Sequence, residues 1–262
     1  MKERACTATA MSMALRLVLA ALAAAFAGTA QAEPVDLQLI LAADVSISVD
    51  DSEFRLQREG YAAAITDPKI LAAIRNGARH AIALCVIEWS GASAQRVVVD
   101  WIVIRDETSA ASAAETLRTA PRAFAGATAI GAAIDFAMQQ FERSGHQSTR
   151  RVIDISGDGD NNNGRPVEYA RNDAIAASVT INGLAIVNEH PAHGFIGHTQ
   201  PVGGIGEYYR TRVIGGHGSF VLAIDGFDGF TQAMTRKLET EIAATGSIPR
   251  LTGGIRSDRS LP

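Results

Sequence analysis

The chain has 262 residues, 47% of them apolar, with 24 Lys and Arg against 28 Asp and Glu, for a net charge of −4. An acidic balance argues against nucleic acid and anionic membrane as partners. Two cysteines, Cys6 and Cys85, exclude a scaffold built on several disulfides.

Lys2, Arg4 and Arg16 precede an alanine-rich apolar run from about Leu17 to Ala27, and Ala30-Gln31-Ala32 has the small-x-small form of a cleavage site. Residues 1–32 therefore read as a secretory signal peptide, with translation starting at Met1, Met11 or Met13 and the mature chain starting near Glu33. The apolar run is short for a membrane span, which favours a cleaved signal over the alternative of an uncleaved anchor, and no later segment is apolar enough to cross a bilayer. The expected location is periplasmic or secreted. Without residues 1–32 the net charge is −6 and Cys85 stands alone in the apolar run "AIALCVIEW", where it reads as a buried, inert thiol.

Apolar runs then alternate with helical patterns. Residues 35–43 read as a strand buried on both faces. A helix follows, capped by Asp50 with Glu53 at capping-box spacing and continued by Tyr61 and Ile65. Residues 81–89 and 96–104 read as strands joined by the turn "SGASAQ", hence a hairpin, in which Trp89 and Trp101 pack. A helix is expected over 108–119, and Ile130, Ile134, Met138 and Phe141 mark another. The spacing next predicts a strand at 151–156, a helix at 166–178, strands at 179–187 and 219–224, and a last helix through Phe227, Phe230, Met234, Leu238 and Ile242. This alternation predicts an α/β three-layer sandwich, its central sheet mostly parallel with one antiparallel edge strand. One domain is expected over 33–246, with a polar, loose tail at 247–262. Residues 188–218 read as one long glycine-rich loop carrying His190, His193, His198 and His217. Pro191 keeps His190 and His193 off one regular helical face, which argues against a zinc pair.

The loop "ISGDGDNNNG" at 155–164 raises the question of a metal. As an EF-hand counted from Asp158 it offers Asp158, Asp160 and Asn162, but Asn163 stands where the glycine belongs and Tyr169 where the final glutamate belongs. A self-contained calcium loop is therefore a poor fit. In open parallel sheets, ligands gather beyond the carboxyl ends of the strands. The first strand ends in "DVSIS", and an extended chain would place Asp44, Ser46 and Ser48 on one side while Val45 and Ile47 pack the other way. "GATAIG" adds Thr128 and "SGDG" adds Asp158, so the set holds two carboxylates and three hydroxyls. Taken singly, each residue has an ordinary alternative as a helix cap or turn former.

That ordered set resembles the metal-ion-dependent adhesion site of von Willebrand factor type A domains, over nearly all of 35–243. The stretches "IEWSG", "GATAIG", "DISGDGDNNNG" and "VIGGHGSF" are together similar to a bacterial family of secreted proteins of that fold with no assigned function. One departure is Gly157-Asp158-Gly159 where Thr-Asp-Gly is common. The resemblance implies that Ser46, Ser48 and Thr128 bind Mg²⁺ (or Mn²⁺ or Ca²⁺) through hydroxyls and that Asp44 and Asp158 bind it directly or through water. A position then stays open for an Asp or Glu carboxylate of a protein partner. Asp50, Asp51 and Asp160 are candidates for an outer shell, with helix capping and solvation as their plainer roles.

A binding module rather than an enzyme is the leading expectation. The rivals are a hydrolase or phosphotransferase using the same acidic strand end, and a scaffold without a functional metal. Position 46, where an aspartyl phosphatase carries its second Asp, is a serine, and no Gly-x-Ser-x-Gly elbow or Walker loop is present.

Overall fold

The computed structural model describes residues 33–187 and 201–243. The predicted signal peptide, the tail at 247–262 and His190, His193 and His198 lie outside the described residues. A two-residue strand, β1 (Glu33–Pro34), precedes β2 (Leu37–Asp44), α1 (Asp51–Ile65), α2 (Pro68–Arg75), β3 (Ile82–Trp89), β4 (Gln95–Ile104) and α3 (Glu107–Thr119). Then come α4 (Ile130–Arg143), β5 (His146–Gln147), β6 (Arg151–Gly157), α5 (Val167–Ala176), β7 (Thr180–Val187), α6 (Gly204–Tyr208), a π-helical turn (Tyr209–Val213), β8 (Val221–Asp225) and α7 (Phe230–Ala243).

Six strands form one sheet in the order β4-β3-β2-β6-β7-β8, and β1 pairs with β5 separately. All neighbours in the large sheet run parallel except β3 and β4, which form the expected antiparallel edge pair. The centre of the sheet is covered on both faces, which is why β2 and β3 are buried at every position and read as continuous apolar runs rather than alternating ones. Leu37, Leu39 and Leu41 face one core, closed by Tyr61 of α1, Ile70 of α2, Leu117 of α3 and Phe230 of α7. Ile40 and Ala42 face the other, closed by Ile134 of α4, Ala170 of α5, Ile205 of α6 and Tyr209. These are the three layers of the predicted sandwich. Among the described residues no helix is long and apolar enough to cross a membrane.

The capping box of α1 forms as expected: Asp50 accepts from the Ser52 and Glu53 amides at 2.7 and 2.8 Å, and Glu53 accepts from the Asp50 amide at 2.8 Å. Two elements depart from the sequence reading. Helix α2 was not expected, although Asp67 caps it and Pro68 fills its first position. The long loop expected over 188–218 holds α6 and the π-helical turn. Gly203 and Gly204 take the positive φ angles, 88° and 82°, that start α6, so glycines that read as loop are here the helix entry. Cys85 is buried, and burial pushes its thiol up to about 12, as expected of an inert cysteine. Trp89 is fully buried, and Trp101 donates to the Gln140 carbonyl at 3.0 Å.

Candidate metal centre

Asp44 is the last residue of β2, and the chain leaves it in a tight turn. The Ser46 amide donates to Asp44 Oδ1 at 2.8 Å, the Val49 amide to the Ser46 carbonyl at 3.1 Å, and the Ile47 amide to the Gly126 carbonyl at 2.8 Å. The turn brings the Ser46 and Ser48 hydroxyls to 2.9 Å, and Ser48 Oγ donates to Asp158 Oδ1 at 2.6 Å. Asp44, Ser46, Ser48 and Asp158 thus form one buried, hydrogen-bonded chain across the ends of β2 and β6. The convergence does not come from strand alternation. Val45 is buried, but Ile47 is 57% exposed rather than packed away with it, because the extended geometry stops at Asp44 and the two-residue period lapses in the turn.

Thr128 precedes α4 and is 4% exposed. Its Oγ1 lies 3.4 Å from the point a Cβ on Gly159 would occupy, so the threonine sits beside the backbone that carries Asp158. The asparagines after Asp158 hold this loop in place. Asn162 Oδ1 accepts from the Thr128 amide at 2.9 Å, Asn161 Oδ1 from the Gly131 amide at 2.9 Å and Asn163 Oδ1 from the Ala92 amide at 2.8 Å. The Asn162 and Asn163 amides return to the Thr128 carbonyl at 2.9 and 3.2 Å. In "DGDNNNG" the asparagine side-chain oxygens are therefore committed to backbone amides, the local bonding that asparagine performs in turns.

Each of the three candidate outer acids has a local role of its own. Asp50 caps α1 and Asp51 pairs with Arg122 at 3.1 Å, while Asp160 lines a surface groove with Asn161, Tyr208 and Val202. Among the described residues no group of three or more His, Cys, Asp or Glu side chains is placed to hold a metal. The set here differs in kind, with two carboxylates and three hydroxyls.

Arg122, which sequence reasoning passed over, pins the turn from below. Its Nη2 donates to the carbonyls of Val45, Ser46 and Val49 at 3.1, 3.0 and 2.7 Å, and its guanidinium lies 5.1 Å from the centre of the Phe54 ring. Glu88 holds the neighbouring segment, accepting from the Ala123 amide at 2.9 Å and from the buried Arg58. Tyr209 was missed as well. A Cβ on Gly157 would lie 2.7 Å from its Oη and 2.8 Å from Asp44 Oδ2, and both oxygens are buried without a hydrogen-bond partner among the described residues. The sequence signal for Tyr209 was the glycine at 157, where a buried strand would otherwise carry a side chain.

Burial, reinforced by the negative charge of Asp158, holds the Asp44 carboxyl well above the usual carboxylate range, against the hydrogen bonds from Ser46. Two buried carboxylates, three hydroxyls and one carboxylate oxygen without a donor are the environment that a hard, oxygen-seeking cation relieves. The residues present therefore fit a hard divalent cation.

An Asp-x-Ser-x-Ser turn after the first long strand, a threonine loop before α4 and an Asp-Gly after β6, set at the ends of this sheet, define a von Willebrand factor type A-like domain. The chain belongs to the family described as "Protein of unknown function (DUF1194)", whose profile spans residues 34–246. In fold it is similar to proximal thread matrix protein 1 from the mussel byssus with zinc-occupied MIDAS motif, at 14% identity and a TM-score of 0.52 over 81% of this chain and 49% of that one. It is also similar to a von Willebrand factor type A structure from Catenulispora acidiphila, at 15% identity and a TM-score of 0.53 over 81% and 43%. A third similar structure is the pilus adhesin SpaC from Lactobacillus rhamnosus GG, at 11% identity and a TM-score of 0.55 over 79% and 31%. The chain thus spans half or less of each of these proteins. No curated protein sequence matches it.

Proposed function

We propose that this protein is a metal-dependent binding module of the adhesion type. A divalent cation at Asp44, Ser46, Ser48, Thr128 and Asp158 would bridge to an Asp or Glu side chain of a protein partner. The observation that carries this reading is the buried chain Asp44–Ser46–Ser48–Asp158 with Asp44 Oδ2 left without a donor. Bound there, Mg²⁺, Mn²⁺ or Ca²⁺ supplies a hard positive centre that favours carboxylate oxygen. The three hydroxyls orient oxygen lone pairs without adding negative charge, and the two carboxylates gain a counter-charge for their burial. Exposed Ile47 and the groove lined by Asp160, Tyr208 and Val202 flank the site and would select the partner by shape. The zinc-occupied MIDAS motif of the byssal protein supports a divalent ion on this fold, and the matrix and pilus roles in the neighbours' names support adhesion outside the cytoplasm. Export of the mature chain from Glu33, to the periplasm or beyond, would place the site among such partners.

The test is retention of partner protein from a periplasmic or extracellular fraction on the immobilised chain. Binding in Mg²⁺ should be released by EDTA, absent with Asp44→Ala and lost when the partner's acidic contact residue is replaced by its amide. Retention indifferent to EDTA and to Asp44→Ala would refute the metal bridge. Metal-dependent turnover of a hydrolase substrate that disappears in Asp44→Ala would replace the module by an enzyme.

A further inference from the structure

The carbonyls of Val45, Ser46 and Val49 converge under the turn that carries Ser46 and Ser48, and a single nitrogen, Arg122 Nη2, donates to all three. The other nitrogens of the same guanidinium reach elsewhere. Nε donates to the Phe124 carbonyl at 3.0 Å, in the segment that leads to Thr128, and Nη1 to Asp51 Oδ1 at 3.1 Å, in the first turn of α1. One side chain thus ties together the loop that bears two of the hydroxyls, the loop that bears the third, and the helix that follows the first of them. The Ile47 amide joins the same two loops by donating to the Gly126 carbonyl at 2.8 Å.

Arg122 is itself held in place. Arg58 and Glu88 pair in the interior, and Arg58 donates to the Leu117 carbonyl and to the Ala120 carbonyl at 2.7 Å, while Glu88 Oε2 accepts from the Ala123 amide at 2.9 Å. The chain on both sides of residue 122 is therefore anchored before the guanidinium reaches the turn. Phe54 of α1 packs on both arginines, its ring centre 4.7 Å from the guanidinium carbon of Arg58 and 5.1 Å from that of Arg122. A guanidinium carries its N–H groups in a rigid planar fork, and five acceptors surround this one. A lysine ammonium keeps the charge but donates from one atom and cannot span acceptors on two loops and a helix.

We propose that Arg122 is a positioning residue of the metal centre, strapping the 45–49 turn to the segment before Thr128 and so fixing the Ser46, Ser48 and Thr128 hydroxyls relative to one another. Its positive charge repels a cation, so its contribution lies in geometry rather than in attraction. The same strap holds exposed Ile47 at the rim of the site, between the carbonyls that Arg122 grips. This inference rests on the metal reading proposed above.

Amide hydrogen exchange and Mn²⁺ titration calorimetry on the full chain test it, with wild type, Arg122→Lys, Arg122→Gln and Asp44→Ala. Without metal, the Ile47 and Val49 amides should exchange faster in Arg122→Lys than in wild type. Mn²⁺ affinity in that variant should fall about tenfold, as it does when a residue that orients metal ligands is lost. Tb³⁺ bound in place of Mn²⁺ should carry more water, read from its luminescence decay, because Ser46 and Ser48 no longer face the ion together; a loss of stability alone would not change that count. Arg122→Gln, which removes the repulsion as well as the fork, should still bind Mn²⁺ more weakly than wild type. Unchanged amide exchange, unchanged Mn²⁺ affinity or unchanged Tb³⁺ hydration in Arg122→Lys, or tighter binding by Arg122→Gln, overturns the role of Arg122 while leaving the metal site standing. No Mn²⁺ binding by wild type, or equal binding by Asp44→Ala, overturns the metal reading and this inference with it.

Discussion

Asn162→Ala separates a site shared between three loops from a loop that holds an ion by itself. The substitution removes the acceptor at 2.9 Å from the Thr128 amide and keeps both backbone bonds into the Thr128 carbonyl. Asn162 itself is exposed, so the loss is that of a typical single hydrogen bond, about 1 kcal/mol. For a domain of this size it lowers the melting temperature by about 2–4 °C. Replacing Asn161 and Asn163 by alanine as well removes the acceptors for Gly131 and Ala92 and brings the total to about 3 kcal/mol if the three add. Thr128 then loses its fixed place beside Asp158, and Mn²⁺ affinity should fall with the melting temperature. Asp160→Ala, made in the same loop, should leave affinity nearly unchanged. Circular-dichroism melts and Mn²⁺ titrations of the variants read both effects. Loss of binding in Asp160→Ala beside a silent Asn162→Ala would refute the clamp and return the ion to the loop alone.

Four further outcomes are expected. Lys237 is fully buried between Asp154 at 2.8 Å and Glu241 at 2.6 Å, so Lys237→Met leaves two carboxylates uncompensated and should cost about 3–5 kcal/mol; a melting temperature within a degree or two of wild type would contradict this. Burial first and Glu241 second push Asp154 up to about 7 against the pull of Lys237. Between the ordinary carboxylate range and that value the folded chain holds a proton that the unfolded chain lacks, so stability should fall as pH rises from about 4 to 7, and Asp154→Asn should flatten that slope in urea titrations. Mg²⁺ at about a hundred times its Kd should add about 2.7 kcal/mol to the stability of wild type and nothing to Asp44→Ala. Because burial and Asp158 raise the Asp44 pKa, Mg²⁺ affinity should weaken as pH falls, with protons released on binding.

Features whose causes are local in the chain were legible in the sequence. The apolar runs of β2 and β3 announce strands covered on both faces, and Asp50 with Glu53 announces the start of α1. The ends of β2 and β6 and the loop before α4 supplied Asp44, Ser46, Ser48, Thr128 and Asp158 as a set, because ligands at a parallel sheet sit at strand ends. The direction of Ile47 was not legible from alternation, since the Asx-type bond from Ser46 to Asp44 curls the chain one residue after the strand ends. Helix α2 had its signals, Asp67 and Pro68, but follows α1 so closely that the two read as one stretch. Arg122 and Tyr209 reach the site from far along the chain, and nothing near either residue announces its target. What did speak was the other side of the contact, a glycine at 157 inside a strand that needs side chains elsewhere.

The most direct measurement is an anomalous-difference map from Mn²⁺-soaked crystals of the chain. The account predicts one strong peak among the Ser46, Ser48 and Thr128 hydroxyls, with Asp44 and Asp158 bound to it directly or through water and one coordination position open toward Ile47 and the surface groove. A peak within the 158–164 loop, ligated by Asp158, Asp160 and Asn162, or no peak at the end of β2, would contradict it.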